Sequence, residues 1–135
     1  MEIEGSRHQP PAACDVSDFV DGMCEHFNGR AGIDDPIDLS AYLMWRVNWI
    51  HPFMNGNGRT SRAVSYLALS VGLGAELPGV PTVPDRIASN KAPYYAALDA
   101  ADAANLDGRV DVSVMAQLIR KCLTTQLASI VPPKP

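Results

Sequence analysis

The chain has 135 residues, enough for one domain with a sizeable core. It is 47% hydrophobic and 19% charged, with a net charge of −4. That composition excludes a disordered or collagen-like chain, and the acidic balance argues against a broad nucleic-acid footprint. Any anion site must come from a local arrangement of arginine and backbone. Cys14, Cys24 and Cys122 are odd in number and widely spaced, which fits a reducing compartment better than a disulfide framework. Cys24 and Cys122 fall in apolar helical patterns and are expected in the core. No apolar run is long enough for a signal peptide or a membrane span. The sequence as given reads as cytoplasmic, without nucleic-acid or membrane partners. A fragment of a longer protein, or a delivered effector, stays open.

In chain order, residues 1–14 read as irregular or weakly extended. Met1-Glu2-Ile3-Glu4 suits a short strand that Pro10-Pro11 ends. Val16, Phe19, Val20, Met23, Cys24 and Phe27 then recur at helical spacing, with Asp15 or Ser17 as cap and Asn28-Gly29 as stop. After Asp34-Asp35-Pro36, Asp38 is expected to cap a second helix buried through Leu39, Tyr42, Leu43, Val47 and Ile50. It ends at or before His51, because the residue preceding a proline avoids the α region.

A third helix is expected from Asn57 or Gly58 to about Val71, with Ala63, Tyr66, Leu67 and Val71 facing inward and Gly72 and Gly74 stopping it. Residues 77–84 form a proline-rich loop. A short helix follows over residues 85–90. The next has Pro93 in its first turn and carries Tyr94, Tyr95, Leu98 and Ala101. Asp111 caps a last helix bearing Val112, Met115, Leu118, Ile119, Cys122, Leu123 and Leu127, and residues 131–135 form a tail. The expectation is a single all-α domain over residues 1–135, with at most one short strand at the start.

His51-Pro52-Phe53-Met54-Asn55-Gly56-Asn57-Gly58-Arg59-Thr60-Ser61-Arg62 carries the chemistry. Gly56 and Gly58 admit backbone conformations and close ligand approach that a Cβ would obstruct. Directly before a helix, they leave its first N–H groups unpaired, and those donors with the helix dipole favour a phosphate. The Asn57 side chain adds a donor. Arg59 and Arg62, three residues apart, share a helix face and can bind phosphate oxygens bidentately. His51 stands before the turn, with an unperturbed pKa of ~6.5 suited to accepting a proton from a hydroxyl. The residues alone describe a phosphoryl- or nucleotidyl-transfer site.

The segment resembles the signature of the Fic family, H-x-F-x-[D/E]-G-N-G-R-x-x-R, departing from it only at Asn55. The resemblance extends upstream, where residues 3–11 look like the second half of the family's β-hairpin flap and its exit, and downstream to Pro93-Tyr94-Tyr95-Ala96-Ala97-Leu98. It implies a compact helical domain that transfers AMP from ATP to a Ser, Thr or Tyr hydroxyl of a target protein, releasing pyrophosphate. It implies that His51 is the base and that Phe53 packs into the core to hold the loop. Gly56, Asn57 and Gly58 would bind phosphate oxygens, and Arg59 and Arg62 the polyphosphate, with Arg62 toward its terminal phosphate. Tyr95 and Asp102 would border the base or ribose.

Asn55 occupies the position of the family's acidic Mg²⁺ ligand. Asn keeps a carbonyl oxygen but loses the charge a hard cation favours, so it is a weak metal candidate and slower AMP transfer is expected. A Fic-like transferase with another phosphate-containing donor, or a non-catalytic nucleotide- or protein-binding module, are the alternatives. The family's inhibitory pattern, [S/T]-x-x-x-E-[G/N], has no match. The nearest stretch, Ser17 to Gly22, carries Asp21 in place of Glu and reads as ordinary helix. Regulation would then fall to a missing segment or a separate antitoxin-like protein. Trp45 and Trp49 are expected to pack together or against a neighbour. His8 and His26 lack ligand-spaced partners, and Arg86 and Lys91 read as exposed loop charges.

Overall fold

The computed structural model describes residues 8–130. A short 3₁₀ turn, Ala13–Asp15, leads into α1 (Val16–Arg30), α2 (Pro36–Ile50), α3 (Asn57–Leu73), α4 (Val83–Ser89), α5 (Ala92–Leu106) and α6 (Ser113–Ala128). No strand occurs among the described residues, so the fold is all-α. The expected strand and much of the flap remnant lie in residues 1–7, and the tail in 131–135, outside the described residues.

α2 is the axis of the domain. It packs against α1, α3, α5 and α6. Its Ile37, Ala41 and Met44 join Leu69, Ile87, Met115 and Ile119 in one core cluster. Tyr42, Leu43, Trp45, Val47 and Ile50 join Met23 and Ala101 in another. A helix apolar nearly all round is a buried one. Asp35, not Asp38, caps it: the Asp35 carboxylate accepts from Ile37 N–H at 2.7 Å, and Pro36 occupies the first turn, where no N–H is missed.

Several expectations need correction. α1 runs through Gly29 to Arg30, where Arg30 Nε donates to Asp34 at 2.9 Å. Cys24 is exposed, on the outer face of α1, whereas Cys122 is half-buried against the core, its thiol pKa pushed up by that burial. α4 starts at Val83, two residues before the expected Asp85, because Thr82 and Asp85 close a capping box there.

The largest correction concerns α3. Leu67 is 66% and Val71 72% exposed, and Ala63 is exposed as well. The helix instead buries Ser61, Arg62, Ser65 and Leu69. Its inner face is small because α3 lies close against α2. Ser40 Oγ donates to the Ser65 carbonyl at 2.9 Å, and a Cβ on Gly72 would stand 2.8 Å from Pro36 Cβ. Interhelical distance follows side-chain size at the contact. Each of these buried serines donates to a carbonyl one turn back in α3, Ser61 to that of Gly58 and Ser65 to that of Arg62.

Candidate active site

The site sits where α2 hands over to α3. Pro52 prevents helical continuation, and His51 closes α2 in the left-handed region (φ 53°, ψ 57°) while its N–H still reaches the Val47 carbonyl at 2.9 Å. Gly56 is also left-handed, at φ 83°, and forms the N-cap of α3. Thr60 N–H is the first in α3 to find a helical carbonyl, that of Gly56, and no side chain caps the end. The N–H groups of Asn57, Gly58 and Arg59 thus point out of the helix end, available to an anion.

Two motif side chains differ from expectation. Asn57 does not offer its amide to a ligand. Its Oδ1 accepts from Phe53 N–H at 2.9 Å, and its Nδ2 donates to the Phe53 carbonyl at 2.7 Å. The amide is 4% exposed and braces the turn, leaving only the backbone N–H of Asn57 for phosphate. Phe53 is 50% exposed, not packed in the core. The amide clamp acts on its backbone, so the ring is not what holds the loop.

Arg59 and Arg62 both fold back toward the glycine turn. A Cβ on Gly56 would meet Arg59 Nη2 at 3.2 Å, and one on Gly58 would meet Arg62 Nη1 at 3.1 Å. Both guanidinium groups therefore flank the open N–H donors. Arg59 is exposed, whereas Arg62 is only 8% exposed. No carboxylate pairs with Arg62 in any ion pair among the described residues. Its guanidinium lies 5.6 Å from the centroid of the Tyr94 ring. A buried charge without a counterion is costly unless an anion supplies one.

The His51 Nδ1 atom is buried without a hydrogen-bond partner. That leaves Nε2 as the nitrogen able to exchange a proton with a substrate. Burial and the nearby His8 hold the imidazole pKa below its ordinary 6.5, so the ring is a neutral base at pH 7. His8 is placed by its Nε2 contact with the Trp49 carbonyl, at 2.7 Å, and by ring packing on Trp49.

Asp102 accepts from Trp45 Nε1 at 2.9 Å and is half-buried. Burial raises its pKa, against the opposing pull of the indole hydrogen bond and of His8. Tyr95 is half exposed and packs against Tyr94 at 5.8 Å between centroids. Trp45 and Trp49 each find neighbours, as expected. Trp45 meets Tyr42, Trp49 meets Phe19, and the Arg46 guanidinium lies near both indoles. Asn55 is exposed in the turn. It brings one neutral amide oxygen, and no trio of His, Cys, Asp or Glu capable of holding a metal occurs among the described residues. One neutral amide oxygen is a weaker ligand for Mg²⁺ than the charged oxygens that this hard cation favours.

Sequence reasoning missed a buried network under the motif. Asn48 Nδ2 lies 2.9 Å from Ser61 Oγ and 2.6 Å from the Tyr94 hydroxyl, which itself lies 3.0 Å from Ser61 Oγ. The available signal was an asparagine among the mostly apolar residues of α2.

A model of the Fic/DOC family matches residues 1–69, half of the chain, from its N-terminus through the motif and into α3. The chain belongs to the Fic/DOC family. The Fic signature thus falls within the matched span, and members of this family often transfer AMP or another nucleotide. No helix among the described residues is long and apolar enough to cross a membrane.

Proposed function

We propose that this Fic protein transfers AMP from ATP to a Ser, Thr or Tyr hydroxyl of a target protein. The observation that carries this reading is Arg62, 8% exposed with no carboxylate partner, beside an open helix N-terminus. An arginine so placed is poised for an anionic ligand. His51 Nε2 takes the proton of the target hydroxyl as its oxygen attacks the α-phosphorus. The bond from that phosphorus to the pyrophosphate oxygen breaks. The N–H groups of Asn57, Gly58 and Arg59, with the Arg59 and Arg62 guanidinium groups, hold the charge on the phosphates and on departing pyrophosphate. Tyr95 offers an exposed ring for the base, and Asp102 an oxygen for the base or ribose. Mg²⁺ enters no step of this scheme, because Asn55 supplies too little to hold it; a cation would have to travel with the ATP phosphates.

A groove of about 1100 Å³ runs from Arg59 and Arg62 along α3 past Ala63, Leu67 and Val71 toward Pro84 on α4. Its position beside Arg62 suits control by a separate antitoxin-like protein. The neutral Asn55 favours a second reading, a module that binds nucleotide without transferring it. The experiment is labelling of cell lysate with α- and γ-labelled ATP in parallel. AMP transfer labels a protein from the α position only, and His51→Ala abolishes it. Label arriving from the γ position instead indicates phosphate transfer. Tight ATP binding with no label from either position favours the binding module.

A further inference from the structure

Arg62 needs a partner that orients it without neutralising it. A carboxylate would orient the guanidinium but would compete with phosphate for its N–H donors. An aromatic face attracts the cation and leaves those donors free. Tyr94 supplies such a face. Its ring is 2% exposed, and its centroid lies 5.6 Å from Arg62 Cζ. The ring is pinned from the far end, where its hydroxyl meets Asn48 of α2 at 2.6 Å and Ser61 of α3 at 3.0 Å. Three helices thus converge on one tyrosine, and the tyrosine in turn lies against the arginine of the anion site.

We propose that Tyr94 is a positioning residue for Arg62. Its anchored ring holds the guanidinium against the Gly58 turn, in a charged, unneutralised state, ready for the phosphate of the donor. The proposal rests on the reading of Arg62 as a phosphate ligand. Tyr95, the neighbour with the exposed ring, has no part in this. Loss of the ring face frees the guanidinium to sample other rotamers, and that entropy must be repaid on binding.

The test is calorimetric titration of the full chain with ATP and with inorganic tripolyphosphate. The variants are Tyr94→Met, Tyr94→Phe, Arg62→Ala and the double variant Tyr94→Met/Arg62→Ala. Tyr94→Met is expected to weaken tripolyphosphate binding about 5- to 30-fold, the range of a desolvated cation–π contact. Tyr94→Phe keeps the ring and loses its anchor, for an expected loss of about 2- to 3-fold. In the Arg62→Ala background the Tyr94 substitutions should have no further effect. Equal losses in both backgrounds, or wild-type affinity for Tyr94→Met, would overturn the positioning role while leaving Arg62 as a phosphate ligand. Failure of the wild-type chain to bind either polyanion would overturn that reading of Arg62, and the positioning role with it. If Tyr94→Met does not fold, Tyr94→Phe and Asn48→Ala carry the same cycle, since both unpin the ring. A loss that depends on Arg62 supports the role, and a loss independent of Arg62 refutes it.

Discussion

In the proposed reaction, Asn55 and His51 set what the site can do. Asn55 places a neutral oxygen where the Fic signature has a carboxylate. Restoring the charge with Asn55→Asp is expected to raise the rate of AMP transfer about tenfold or more and to make it depend on added Mg²⁺. A variant as slow as wild type at every Mg²⁺ concentration, in the labelling assay, would show that the position does not limit the rate. His51 predicts a pH profile. Burial and His8 depress its pKa from 6.5, so the neutral base persists below that pH. kcat/KM should stay level as pH falls through 6.5 and decline only at more acid values. His8→Ala should move that acid limb upward. The same shift costs stability in acid. The unfolded chain takes up the His51 proton more readily than the folded one, so this contribution weakens the fold as pH drops from about 6.5 through the lowered folded value.

Among the elements, α3 and α6 allow the sharpest checks. Of the α3 residues that apolar spacing places inward, Tyr66 packs against the core, whereas Ala63, Leu67 and Val71 face out. Leu67→Gln should therefore change the unfolding free energy by less than about 0.5 kcal/mol. Leu69→Ala, at a fully buried position, should cost about 2–5 kcal/mol. Chemical denaturation of both variants decides the assignment. The second check is Gln126, a fully buried polar side chain on α6. Its Oε1 accepts from Val83 N–H at 2.8 Å, and its Nε2 faces the Tyr66 hydroxyl and the carbonyls of Leu77 and Pro78. It ties the proline-rich loop and the start of α4 to α6. Gln126→Ala strands those groups and should cost about 2–4 kcal/mol. Because none of these hydrogen bonds involves the glycine turn or its arginines, the variant's tripolyphosphate affinity at low temperature should be unchanged.

For the whole molecule, the arrangement makes stability and ligand binding reciprocal. A polyanion that binds only the folded chain adds about 2.7 kcal/mol at a hundred times its Kd. ATP should therefore raise the midpoint of thermal unfolding, increased salt should weaken the effect, and Arg62→Ala should remove most of it. A midpoint indifferent to ATP in the wild-type chain would contradict the anion site. Domain integrity depends on α2, which joins both core clusters and ends in His51. A single buried rod thus carries His51, the proposed base, at its tip, and the helix packed beside it carries the arginines.

Much of this was legible in the chain alone. The order and class of the helices followed from apolar spacing, proline and glycine punctuation. His51, the glycine turn and the paired arginines are contiguous within one segment, so the candidate site could be located from local spacing. The remainder depended on which surfaces meet. Periodicity counts apolar residues, and it misread α3, where close approach to α2 selects serine and glycine over larger side chains. Asn57, and not the Phe53 ring, holds the turn, through a hydrogen-bonding clamp that is invisible in a motif. Nothing local distinguishes Tyr94 from Tyr95. Only the folding of α5 against α2 and α3 buries one ring beneath Arg62 and leaves the other in solvent, since burial is a property of the contacts between distant segments and not of the segment itself.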